Sequence, residues 1–116
     1  MDSGGTTSIP IASIANGLPG RYATALYELA AERQQLDPVL DEASRLAAMI
    51  DSRADLRTVL TDRTLDIRDS SRGVAAVLVA DGFGPLLRDF VGVVAANRRL
   101  PRLRDILAAL AAIAAA

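Results

Sequence analysis

Apolar residues recur at three- and four-residue spacing along most of the chain, and no stretch alternates with a period of two. The spacing predicts a first helix over Arg21–Arg33, with Tyr22, Leu26, Leu29 and Ala30 on one stripe. A second begins after Leu36, with Asp37 as N-cap and Pro38 at the first helical position. Its stripe is Val39, Leu40, Ala43, Leu46, Ala47 and Ile50. A short third helix covers roughly Asp55 to Leu60 and carries Leu56, Val59 and Leu60. Thr61 to Asp69 then reads as a polar connection anchored by Leu65 and Ile67.

A fourth helix is expected near Ser70 to Ala80, with Val74, Val77 and Leu78 inward and Gly73 as a soft spot; Gly82-Phe83-Gly84-Pro85 ends it. The fifth runs from Pro85 to Asn97, where Asn97 resembles a C-terminal cap. Pro101 opens the sixth, with Leu103, Ile106, Leu107, Leu110 and Ile113. The expected fold is all-α, a compact bundle of five to six helices over residues 18–116.

Residues 1–17 are Gly/Ser/Thr-rich with Ile9, Ile11 and Ile14 as sparse apolar beads, and read as a flexible arm. The last helix stops in Ala114-Ala115-Ala116 without a cap, a glycine or a basic final turn, so the chain reads as the N-terminal fragment of something longer.

Helices one and five are apolar over more than one stripe. On helix one, Leu18, Ala25 and Tyr27 widen the stripe of Tyr22, Leu26, Leu29 and Ala30. On helix five, Leu87, Phe90, Val91 and Val94 form one stripe while Leu86, Val93 and Ala96 occupy its flank. An ordinary surface helix has a polar back. Either both helices are enclosed at the bundle centre, or they lie side by side and leave an apolar groove for a partner helix. In the second case the small residues Ala25, Gly92 and Ala96 would let a guest approach closely.

Composition narrows the chemistry. Half of the chain is apolar (51%) but only 3% is aromatic, so the core must come from Leu, Ile, Val and Ala. A formal charge of −1 argues against affinity built on neutralising phosphates, and all 13 basic residues are arginine. The absence of His and Cys removes the usual general base and the commonest metal ligands. No catalytic residue, metal site or cofactor is expected. The N-terminus has neither a basic n-region nor a long apolar run, and Ile106 to Ala116 is too short to span a bilayer, so direct membrane insertion is not expected.

Other constellations have plainer readings. Arg98-Arg99-Leu100-Pro101-Arg102-Leu103-Arg104 is densely basic, but without aromatic stacking partners it does not make a nucleic-acid site. It reads as a solvated helix junction, with contact to an acidic partner surface as the other reading. Asp62, Asp66 and Asp69 lack the Gly and closing Glu of a calcium loop. Gly82-Phe83-Gly84-Pro85 lacks the Lys-Ser/Thr of a phosphate cradle. Ser70-Ser71 has no base to activate it, and an N-cap role is its default.

Gly20-Arg21-Tyr22-Ala23-Thr24-Ala25-Leu26-Tyr27-Glu28-Leu29-Ala30 resembles the opening helix of the delta subunit of F-type ATP synthase, the counterpart of the mitochondrial oligomycin-sensitivity-conferring protein. Phe90-Val91-Gly92-Val93-Val94-Ala95-Ala96-Asn97-Arg98-Arg99-Leu100, followed by Leu103 and Ile106, is similar to that family's fifth helix and the start of its last. Leu36-Asp37-Pro38-Val39-Leu40 and Asp55-Leu56-Arg57-Thr58-Val59-Leu60 stand between them in the expected order. Thr61-Asp62-Arg63-Thr64, where the family commonly has a Pro, and Gly73, where many members carry Lys, depart from it.

The resemblance implies the six-helix N-terminal domain of a longer, non-catalytic stator subunit, peripheral at the cytoplasmic face of the bacterial inner membrane. It implies that the domain grips the N-terminal helix of an alpha subunit, and that the C-terminal part absent here joins the b subunit. Carried over by position, Tyr22, Ala25, Leu26 and Leu29 meet the guest from helix one. Val93, Val94 and Asn97 do so from helix five, with Phe90 in support. The isolated chain is then expected to be monomeric. A generic helical adaptor would instead homodimerise through the same apolar surface, and an enzyme would need paired acids that the pattern does not supply.

Overall fold

Pro19 sits in the opening turn of the first helix, where a missing N–H costs nothing and the fixed φ suits the helix. The computed structural model describes residues 17–116. In chain order these form α1 (Leu18–Glu32), α2 (Leu36–Ser52), α3 (Ala54–Thr61), α4 (Ile67–Ala80), α5 (Pro85–Ala96), a single 3₁₀ turn (Leu100–Arg102) and α6 (Leu103–Ala115). No strand occurs among the described residues, and the fold is an all-α bundle of six helices. Of the arm expected over residues 1–17, all but Gly17 lies outside the described residues; Gly17 is the extended N-cap of α1.

Several boundaries differ from the sequence pattern, each for a local reason. Gly17 is the N-cap and Leu18-Pro19-Gly20 the opening residues of α1, so the helix begins ahead of Arg21. In α2 the N-cap is Gln35, and Asp37 falls inside the first turn, where its charge still faces the positive end of the helix. The largest shift is in α4. The Asp66 carboxylate accepts the Arg68 backbone N–H at 2.7 Å, so the cap forms there rather than at Ser70-Ser71. Ser70 becomes a buried interior residue, and the polar connection shrinks to residues 62–66. Leu65, expected as an anchor, is 41% exposed within it. Pro101 opens only the 3₁₀ turn, and α6 proper begins at Leu103.

Three helices end in the same way, with a left-handed residue after the C-cap: Gln34 (φ 58°), Gly82 (φ 76°) and Arg98 (φ 60°). After α5, Arg98 N–H donates to the Ala95 carbonyl and Arg99 N–H to Val94, which satisfies carbonyls the helix leaves open. Asn97 is the C-cap, as its type suggests, but the left-handed position falls on the arginine that follows it.

α6 is the central strut, burying Leu103, Ile106, Leu107 and Leu110. α1 packs most extensively on it, and α2 also lies against it. The face of α1 that turns inward carries Gly20, Ala23, Leu26 and Ala30, and small residues on that face let two helices approach closely. α5 rests on α4 and touches α2. Its start is fixed by α2: Glu42 Oε1 accepts the Gly84 N–H at 3.0 Å, and Arg45 donates from Nη1 to the Asp81 carbonyl at 3.1 Å. The Arg45 guanidinium also lies 4.2 Å from the centre of the Phe83 ring. A Cβ at Gly84 would meet Glu42 Oε2 at 3.1 Å, so this turn is tight as well as anchored.

Candidate functional site

α1 and α5 lean on different neighbours, and the space between them is an open cavity of about 400 Å³. Arg21, Tyr22, Ala25 and Leu29 line it from α1, and Leu86, Asp89, Phe90 and Val93 from α5. Its surface is almost wholly apolar. Neither helix is enclosed: Ala25 is exposed, and Val93 is 54% exposed on the outer face of α5. The exposed Val93 beside the half-buried Tyr22, Leu29 and Phe90 makes an apolar concave patch, the kind of surface that marks a contact site.

The two walls are bridged. Asn97 donates from Nδ2 to the Tyr22 hydroxyl at 2.9 Å, and the Tyr22 and Phe90 rings meet edge to face, with centroids 6.4 Å apart at 72°. This sets the N-terminal end of α1 beside the C-terminal end of α5. Tyr22 thus keeps its ring half-buried and its hydroxyl at the rim.

Of the residues picked out by sequence, Tyr22, Ala25, Leu29, Phe90 and Val93 line the cavity, and Asn97 joins it through Tyr22. Leu26 and Val94 are elsewhere. They are 1% and 0% exposed, locked in the core, because α1 turns Leu26 toward α6 and α5 turns Val94 inward with Leu87 and Val91. Gly92 is exposed but lines the α4 side of α5, not this cavity. Sequence reasoning passed over Arg21, Leu86 and Asp89 as lining residues. Leu86 was visible as part of the apolar flank of α5, whereas the two charged residues carried no signal of their own.

Asp62 and Asp66 are committed locally. Asp62 Oδ1 accepts from Thr64 N and Thr64 Oγ1, at 2.9 and 2.6 Å, and those bonds hold its carboxyl below its usual pKa. Asp66 caps α4. No group of three or more potential metal ligands occurs among the described residues, and no described helix is long and apolar enough to cross a membrane.

Residues 18–116 match the family described as ATP synthase delta (OSCP) subunit. The ATP synthase subunit delta of Gluconacetobacter diazotrophicus is 64% identical over 114 residues, which is 98% of this chain and 58% of that protein. Those of Gluconobacter oxydans and Acidiphilium cryptum are 49% and 42% identical, covering 87% and 83% of this chain and 46% and 49% of theirs. The chain therefore spans about half the length of the curated relatives it matches. With the match running from the first residue of α1 through the last helix, the chain belongs to the ATP synthase delta (OSCP) subunit family.

Proposed function

We propose that this chain is the head-gripping part of the stator of a rotary ATP synthase, and that the groove between α1 and α5 holds the N-terminal helix of an alpha subunit. The observation that carries the reading is the open, apolar cavity walled by Tyr22, Ala25 and Leu29 on one side and Phe90 and Val93 on the other. Both walls are helices whose backbone groups are already paired, so they offer side-chain surface rather than a sheet edge. The matching guest is an amphipathic helix presenting aliphatic residues at i, i+3, i+4 and i+7.

A guest burying a handful of aliphatic side chains gains roughly 1.5–3 kcal/mol for each, against about 4–15 kcal/mol for association. The two ranges overlap, so apolar burial in the groove is of the size needed to offset association. The role is mechanical: the domain holds the catalytic head against the torque of the turning shaft. The remainder of the subunit, beyond this chain, would join the b subunit at the cytoplasmic face of the membrane.

The test is a titration of the chain with a synthetic peptide of the N-terminal segment of its cognate alpha subunit. With no Trp in the chain, Tyr22 and Tyr27 report by fluorescence. Saturable one-to-one binding is expected, with only weak dependence on salt. Ala25→Glu and Val93→Asp should each weaken it by roughly a hundredfold or more with helicity unchanged. If both variants bind like the parent, the groove assignment fails; if sedimentation shows a dimer that peptide does not dissociate, the apolar surface is a self-association face instead.

A further inference from the structure

The basic run from Arg98 to Arg104 divides on folding. Arg104 donates from Nε and Nη2 to the two carboxylate oxygens of Asp51 at 2.8 and 2.9 Å, and Arg102 Nε donates to Asp105 at 3.0 Å. Arg98 and Arg99 have no ion-pair partner among the described residues, and neither does Arg63. These three arginines line one cavity of about 380 Å³, at the corner where the α3–α4 connection meets the turn between α5 and α6. The acid beside them, Asp62, is occupied by Thr64. The rest of the wall is largely aliphatic, including Val59, Pro101 and the exposed Leu65. Arg98 also lines a neighbouring hollow with Arg68.

Leu65 is left 41% exposed at the edge of this cavity, so an aliphatic side chain stands in water beside the three arginines.

We infer that this corner is a second protein-binding site, which receives an acidic segment of a partner polypeptide in which carboxylates flank an aliphatic side chain. The guanidinium forks of Arg98, Arg99 and Arg63 supply charge-assisted, bidentate contacts to the carboxylates. Leu65 and Pro101 receive the aliphatic side chain. A nucleic acid fits less well, because no aromatic residue lines the cavity for a base to stack on. The site shares no lining residue with the α1–α5 groove. Asn97 faces that groove through Tyr22, and Arg98, the next residue, begins the other site.

The probe is an end-blocked peptide, Glu-Leu-Glu-Glu-Leu-Glu, titrated into the whole chain at low salt while backbone amide shifts are followed by NMR. The expected shifts concentrate at Arg63, Ser70, Arg98 and Arg99, and binding weakens as salt is raised. Arg98→Glu combined with Arg99→Glu should weaken binding by roughly tenfold or more, whereas Arg102→Gln should leave it within about twofold. Arg98→Gln with Arg99→Gln serves as a milder pair if the reversal disturbs the fold. Val93→Asp should leave this binding unchanged, which separates its failure from a failure of the groove reading. The proposal is overturned if the peptide with Gln for Glu binds equally well, if the shifts scatter over the surface, if inorganic phosphate alone binds the same residues as tightly, or if a single-stranded oligonucleotide binds more tightly than the peptide.

Discussion

Asn97 and Tyr22, 75 positions apart in sequence, are joined by a 2.9 Å hydrogen bond across the mouth of the α1–α5 groove. The bond is exposed, so water competes for both partners, and its value lies in registering two helices that have little else in common. Tyr22→Phe should lower stability by no more than about 1 kcal/mol. A double-mutant cycle with Asn97→Ala, read by urea denaturation, should give a small positive coupling. A coupling of zero would mean that the two walls are held by the Phe90 contact alone.

Neighbouring residues on α1 have opposite roles. Leu26 is 1% exposed against α6, and Leu26→Ala should cost about 2–5 kcal/mol through lost burial and an unfilled cavity. Ala25 is exposed, and Ala25→Glu should change stability by less than about 0.5 kcal/mol. Thermal melts of the two variants side by side would show whether the inward face of α1 is the one described.

Asp66→Ala removes the carboxylate that accepts the Arg68 N–H and should destabilise the chain by about 0.5–2 kcal/mol. Ser70→Ala should not reproduce that loss by fraying the helix start, since Ser70 lies within α4. Amide exchange at Arg68 and Asp69 distinguishes the two, because only the first variant should accelerate it.

The Arg104 guanidinium hydrogen-bonds Asp51 and, despite some desolvation, holds its carboxyl below the ordinary value of 3.8. Arg53 does the same for Asp55. A carboxylate whose folded-state pKa is depressed adds stability above its ordinary value, and that stability is lost as pH falls through the folded-state value. The stability gap between the parent and Asp51→Asn should therefore be constant near neutrality and close as the pH drops below about 4. Urea midpoints measured across that range would check it. A gap that persists at low pH would show that the pair contributes by packing rather than by charge.

Gly92 lies on an exposed turn of α5, and a Cβ built on it meets nothing within 4 Å. Gly92→Ala should raise stability by about 0.5–1 kcal/mol by restricting the unfolded chain and favouring the helix. Because Gly92 faces away from the α1–α5 groove, affinity for the alpha-subunit peptide should stay unchanged in the same titration.

How much of this was legible in the sequence depends on the range of the interaction concerned. Helix positions come from local periodicity and from the prolines that open helices, so the six elements and their order could be read directly, as could the excess apolar surface of α1 and α5. Asp66 was missed as a cap because Ile67 is followed by no apolar side chain until Val74, so the first turns of α4 look like polar connection. The left-handed residues Gln34 and Arg98 were missed because neither is of the type that favours that conformation.

What only the tertiary structure decided is which apolar side of each helix faces inward. A helix with one stripe has no choice, but α1 and α5 have several, and a 3.6-residue period cannot rank them. α6 settled the matter for α1 by taking Ala23, Leu26 and Ala30, a face whose small residues let it come close, and this left Tyr22, Ala25 and Leu29 toward the groove. Packing against α4 and α2 took Val94, Leu87 and Val91 from α5 and left Phe90 and Val93 on the other wall. The sequence determined that apolar surface would be in surplus; the order in which neighbours claimed it determined where the surplus lies.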